Sequence, residues 1–229
     1  MIKINASNVV LDGQGHSITG PGDIGILVES ANNVTVRNTK ITGYTFGIHF
    51  NGASGNTVVN NTITNNGDAG IYIDKAYNNV IYNNVFNNTQ NVLVSSGSNY
   101  WNITLTPGVN IVGGNWIGGN YWARPDGTGY SQTCRDVEGP FGICDEPYMI
   151  DSNNIDYLPL SNPQVSPPTT TTTTTVTTTT TVTETATVTT PVTGTTTLLT
   201  TYTVTSTYTT TEKYVSTAYS TAYDYTPGS

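Results

Sequence analysis

Three asparagines, Asn33, Asn56 and Asn79, recur at intervals of 23 residues, and Asn38, Asn61 and Asn84 repeat the same interval. They lie inside NNVTVRNTKI, GNTVVNNTI and NNVIYNNVF. Between them come short apolar strings: GILV from Gly25, GIHF from Gly47, GIYI from Gly70 and, more loosely, NVLV from Asn91. A period of roughly 20 to 25 residues, with short strands joined at Asn or Gly corners, describes one coil of a parallel β-helix. Leucine-rich repeats share the period, but their helical half and leucine framework are missing here.

Strand alternation sends every second side chain inward. On that register Ile26 and Val28, Ile48 and Phe50, Ile71 and Ile73, and Val92 and Val94 stack as inner layers of one sheet. Val34 and Val36, Thr57 and Val59, and Val80 and Tyr82 supply a second. Coils about 4.8 Å apart then build an all-β, right-handed, single-stranded rod of only ~20–25 Å. Asn38, Asn61 and Asn84 are expected to form a structural ladder, each amide capping local backbone or bonding to its equivalent one coil away. Gly25, Gly47 and Gly70 read as turn positions ahead of a strand.

The repeats occupy residues 1–114 and dissolve into a tryptophan-bearing segment, 115–160, expected to be an irregular cap on the last coil. Nine residues lie between Cys134 and Cys144. A local disulfide, which requires an oxidising compartment, is the preferred reading; two buried thiols are the alternative. Residues 161–229 are a Thr/Pro-rich, low-complexity linker or stalk, typical of an O-glycosylated extended tail. Its β-branched alternation in TYTVTSTYTTT leaves open a small β unit, or a filament subunit pairing with other tails.

The balance of 7 basic against 15 acidic residues, net -8, gives no footprint for nucleic acid or an anionic membrane. No apolar run is long enough to span a bilayer. Met1 opens directly into MIKINASNVVLDGQG without an apolar leader, and the first coil has no evident cover, so further upstream sequence is expected.

The coils resemble the parallel β-helix repeats of the NosD-like family and of carbohydrate-binding and sugar-hydrolase repeat domains, a pectin-lyase-like architecture. The likeness covers residues 5 to about 160. GGNYW at Gly118–Trp122 and GICDEPYMIDSNNIDYLPL at Gly142–Leu160 are similar to the closing segment of archaeal surface proteins with such repeats. The resemblance implies an exported, extracellular or cell-surface protein. Those relatives carry an Asp-Gly-Asp-Gly run similar to a calcium loop. This chain departs from it, offering Asp136, Glu138 and Asp145 with Pro140 and Phe141 between them, so calcium stays open and no other cofactor is expected. The copper role in the family's name transfers less well, because methionine occurs only at Met1 and Met149 and no histidine cluster exists.

Parallel β-helices also host polysaccharide lyases and hydrolases. Four residues after each corner glycine, Glu29, Asn51 and Asp74 should form a column continued by Ser95. Two coils put Glu29 and Asp74 roughly 10 Å apart, near the upper limit of about 9.5 Å for an inverting carboxylate pair. Short corners leave little concavity, so the main expectation is a non-catalytic structural or adhesive protein. Its outward His49, Tyr72 and Trp101 are glycan-binding candidates. Glycans, other surface proteins, or lateral or end-to-end self-association are the expected partners. Acceptor triplets for N-glycosylation stand at Asn5, Asn33, Asn60, Asn87 and Asn102.

Overall fold

The computed structural model describes residues 1–162, 171–191 and 197–217. The chain divides into two compact units, Met1–Ser166 and Pro167–Ser229.

The first unit winds as a parallel β-helix. Its first coil is β1 (Ile2–Ile4), β2 (Val10–Asp12) and β3 (Ser17–Thr19). The second is β4 (Ile24–Glu29), β5 (Thr35–Arg37) and β6 (Lys40–Thr42). The third is β7 (Phe46–Asn51), β8 (Thr57–Val59) and β9 (Thr62–Thr64), and the fourth β10 (Ala69–Asp74), β11 (Val80–Tyr82) and β12 (Val85–Asn87). A fifth coil opens with β13 (Val92–Ser96), makes an excursion through the antiparallel pair β14 (Thr106–Pro107) and β15 (Trp116–Ile117), and closes with β16 (Tyr121–Ala123). Parallel pairing gives three sheets, β1-β4-β7-β10-β13, β2-β5-β8-β11 and β3-β6-β9-β12-β16. Because β16 belongs to the third sheet, the last coil ends inside the segment expected to be cap alone.

In the first sheet Ile26, Val28, Ile48, Phe50, Ile71 and Ile73 are fully buried, the register expected from alternation. The second sheet corrects the sequence reading. Val36, Val58 and Ile81 are in register and buried, whereas Thr57, Val59, Val80 and Tyr82 are only half-buried. Val36 pairs with Val58, 22 residues on, and Val58 with Ile81, 23 residues on. The second coil is therefore one residue shorter than the asparagine interval suggests, and a one-residue slip exchanges the inner and outer faces.

Corners use two consecutive residues with different tasks. The first is left-handed, with φ of 57° at Asn60, 53° at Asn65, 56° at Asn78 and 53° at Asn83; asparagine visits this region more readily than other residues with a Cβ. The second is buried and joins a polar ladder, as Asn61, Asn66, Asn79 and Asn84 do. Asn38, at φ 53°, is of the first kind, donating from Nδ2 to Asp12 Oδ1 at 3.0 Å. Thr39 takes the ladder place and donates its N–H to Asn61 Oδ1 at 3.0 Å. Asn38 is therefore no ladder residue, while Asn61 and Asn84 are.

Three ladders run along the rod, all pointing one way. Asn61 donates its N–H and Nδ2 to Asn84 Oδ1 at 2.9 and 3.1 Å, and Asn84 donates likewise to Asn120 Oδ1 at 3.2 and 2.9 Å. The second hydrogen of each amide satisfies a carbonyl of an earlier coil, Val36 O for Asn61 and Val58 O for Asn84. Asn56, Asn79 and Asn99 form a second ladder, and Asn66, Asn88 and Asn91 a third. Corner backbone buried in the rod is thus paired without a sheet partner.

A run of donors pointing one way must end on an acceptor, and a single hairpin supplies two. In β17 (Tyr148–Asp151) and β18 (Asn154–Asp156), Asn154 Oδ1 accepts Asn99 N–H at 3.0 Å, while Asp156 Oδ2 accepts Asn120 N–H and Trp122 Nε1–H, both at 2.8 Å. Asp156 is fully buried, and desolvation pushes its carboxyl up to about 7 against the lowering effect of these hydrogen bonds. Aromatic rings close the same end: Trp122 lies on Phe86 at 4.7 Å and 7° between planes, and Tyr148 covers Trp122 at 4.9 Å. The Cys134–Cys144 disulfide, with Cα atoms 5.7 Å apart, ties α1 (Tyr130–Thr133) to the chain entering this hairpin.

Gly25, Gly47 and Gly70 are not turn residues. They lie within β4, β7 and β10, where a Cβ would fall 2.7 Å from Gly47 O, 2.6 Å from Gly70 O and 2.8 Å from Asn91 O. Their lack of a side chain lets successive coils approach, and no left-handed dihedral is involved.

The second unit contains β19 (Thr171–Pro191) and β20 (Thr197–Thr217), an antiparallel pair in unbroken register from Thr171↔Thr217 to Pro191↔Thr197. The segment expected as an extended stalk is thus a two-stranded ribbon over these residues.

Candidate functional site

The outward face of the first sheet carries a row of side chains, most of them partly buried, with Leu27 buried among them. Lys3, Leu27, His49, Tyr72 and Leu93 stand in register across five strands. Phe46, at the start of β7, leans over the same face. Its ring centroid is 5.0 Å from that of Tyr72 at 29° between planes, and His49 stacks on Tyr72 at 4.5 Å and 23°. Three rings therefore form one continuous ledge. Sequence reasoning found His49 and Tyr72 but not Phe46, because the first-sheet pattern was counted from the glycine that follows it. An aromatic where the neighbouring coils carry Ile24 and Ala69 was the available signal.

His49 packs its ring on Tyr72 and makes no hydrogen bond: both ring nitrogens are enclosed and have no partner among the described residues. Desolvation holds its pKa below the ordinary imidazole value, although Asp74 and Glu29 pull it back. The ring is thus neutral at neutral pH. Trp101, the third expected platform residue, is instead fully buried under the cap, with Nε1–H on Asn154 Oδ1 at 3.1 Å. Its indole closes the core because β8 and β11 of the second sheet face opposite to the expectation, while Val36 in β5 keeps its inward place.

At one end of the ledge Glu29, Asn51 and Asp74 are paired in register. An irregularity after Ile73 pairs Asp74 with Ser96, so Ser95 leaves the column and donates its Oγ–H to Asp74 Oδ1 at 2.7 Å. Glu29 is held by Lys3 Nζ at 2.6 Å. One carboxylate of the expected pair is thus ion-paired and the other accepts a hydroxyl. Two shallow depressions of the rod lie elsewhere, one beside Pro21, Tyr44 and Asp68, the other beside Gln14, Lys40 and Ile111.

The calcium candidates are engaged locally. Asp145 accepts Val137 N–H and Glu138 N–H at 3.2 and 3.1 Å and pairs with Arg135 at 3.5 Å. Asp136 Oδ2 accepts Gly142 N–H at 2.9 Å and the Ser161 hydroxyl at 2.5 Å, while Glu138 is exposed. These donors do not converge on the six or more oxygens that calcium takes. Among the glycosylation triplets, Asn5, Asn33 and Asn60 are exposed and Asn87 is partly buried. Asn102 is tied into the cap by accepting Tyr157 N–H at 3.1 Å.

The family described as Periplasmic copper-binding protein (NosD) matches residues 5–127, more than half of the chain. No curated protein and no solved structure matches significantly. Copper sites draw on imidazole, thiolate and thioether ligands, and these are not brought together among the described residues. Both cysteines are in the disulfide, the His49 nitrogens are enclosed, and Met1 and Met149 are isolated exposed side chains. Among the described residues no group of three His, Cys, Asp or Glu side chains is placed to hold a metal ion, and no helix is long and apolar enough to cross a membrane. The match runs through coils whose strands, corners and ladders share one parallel β-helix, and on it this chain belongs to the NosD family.

Proposed function

We propose that this is a non-catalytic, exported surface protein whose β-helical head binds glycans on the Phe46–His49–Tyr72 ledge. The continuous stack of three rings carries the reading, since the apolar face of a sugar packs on such a surface. Asn51 and Asp74 at the rim supply polar groups for hydroxyls. The carboxylates Glu29 and Asp74 and the net charge of -8 disfavour uronate polymers, so neutral or amino sugars are the preferred class. A disulfide suits an oxidising compartment, and the family description is periplasmic.

The test is incubation of the full chain with neutral, amino and anionic polysaccharides, with and without calcium, recording bound protein and newly released sugar ends together. Binding of the neutral or amino class without release is expected, weakened about tenfold in Tyr72→Ala. Released ends that vanish in Glu29→Gln or Asp74→Asn would make the protein an enzyme. Absence of binding across the panel would sink the glycan reading and leave a structural or adhesive rod.

A further inference from the structure

We infer that β19 is a self-pairing edge, and that the ribbons of two copies of this chain join through it as a four-stranded antiparallel sheet. Among the described residues the ribbon has two strands, so each of them has one edge without a partner there. In an antiparallel strand half of the residues aim their N–H and C=O groups away from the existing partner. For 21-residue strands that leaves about ten residues with outward donors and acceptors on each edge. Residues 179–185 are exposed at every position, Val182 to 41%. Since alternate residues face opposite sides, neither face of this stretch is covered. An isolated two-stranded ribbon is marginal in water, and a third strand or a packed face is what stabilises one.

β19 carries few of the usual protections of an edge. Proline occurs only at its last residue, Glu184 is its one charge, and 15 of its 21 residues are threonine. β20 is less suited, with Glu212 and Lys213 adjacent and several tyrosines. Two copies of β19 related by a two-fold axis at Thr181 would align along their whole length. Thr179 would face Thr183, Thr180 would face Val182, and Glu184 would face Thr178, so no charge meets its like. The partner is a second copy because a polar edge of this length is complementary to itself, which closes the pair with two-fold symmetry.

Sedimentation of the full chain tests this. The wild-type chain is expected to form dimers. T179K/T181K/T183K places lysine opposite lysine in the paired edge, and T179E/T181E/T183E places glutamate opposite glutamate; each alone is expected to sediment as a monomer. An equimolar mixture of the two is expected to recover the dimer, which a variant that had merely lost its ribbon would not do. A wild-type monomer at every attainable concentration, an association indifferent to both triple variants, or a mixture that stays monomeric would overturn the inference.

Discussion

At a corner of this rod two neighbouring asparagines have unlike tasks, and substitution separates them. Asn84 is buried, accepts from Asn61 and donates to Asn120, Val58 O and Tyr82 O. Asn84→Ala strands several buried groups and is expected to cost about 3 kcal/mol or more in urea unfolding. Asn38→Ala loses a part-buried bond and forces alanine into a left-handed dihedral, for about 1 kcal/mol. Equal costs would contradict the assignment of ladder and corner roles. Asp156 gives a pH signature. Its folded pKa is raised to about 7 from 3.8, so between these values the folded protein holds a proton that the unfolded chain has released. Stability should therefore fall as pH rises from about 4 to about 7, by up to about 4 kcal/mol. Asp156→Asn should flatten that slope, and an unchanged slope would show that the carboxyl is not the group responsible.

The strands of the first sheet depend on contact between glycines of successive coils. Gly47→Ala drives a Cβ against Gly70 O, a backbone atom fixed by the parallel ladder, and is expected to destabilise by about 3 kcal/mol. Recovery of wild-type thermal stability in that variant would mean that coil spacing relaxes freely. The cap hairpin combines two ladder ends with the covering rings. Its approach is restrained by the disulfide, so reduction should lower stability by roughly 2–3 kcal/mol, with Trp122 fluorescence reporting the loosened cap.

Across the chain, protection follows burial. Coils two to four hold most of the fully buried side chains, whereas β2 and β3 contain none and the described part of the ribbon is almost wholly exposed. Hydrogen exchange should be slowest in β7 and β10, faster in β2 and β3, and fastest in the ribbon; uniform protection would refute this ordering. The repeat interval, the inward set of the first sheet and the presence of asparagine at the corners were legible in the sequence, because a solenoid reuses one local pattern in every coil. The facing of the second sheet, Trp101 in the core, Phe46 on the ledge and the acceptor at each ladder's end were not. Coil length varies by one residue between the second and third coils, and adjacent asparagines make both alignments look alike in sequence. Only pairing between coils fixes which of the two turns inward. Composition set the kind of structure, and the tertiary register decided which side chains face the core and which face outward.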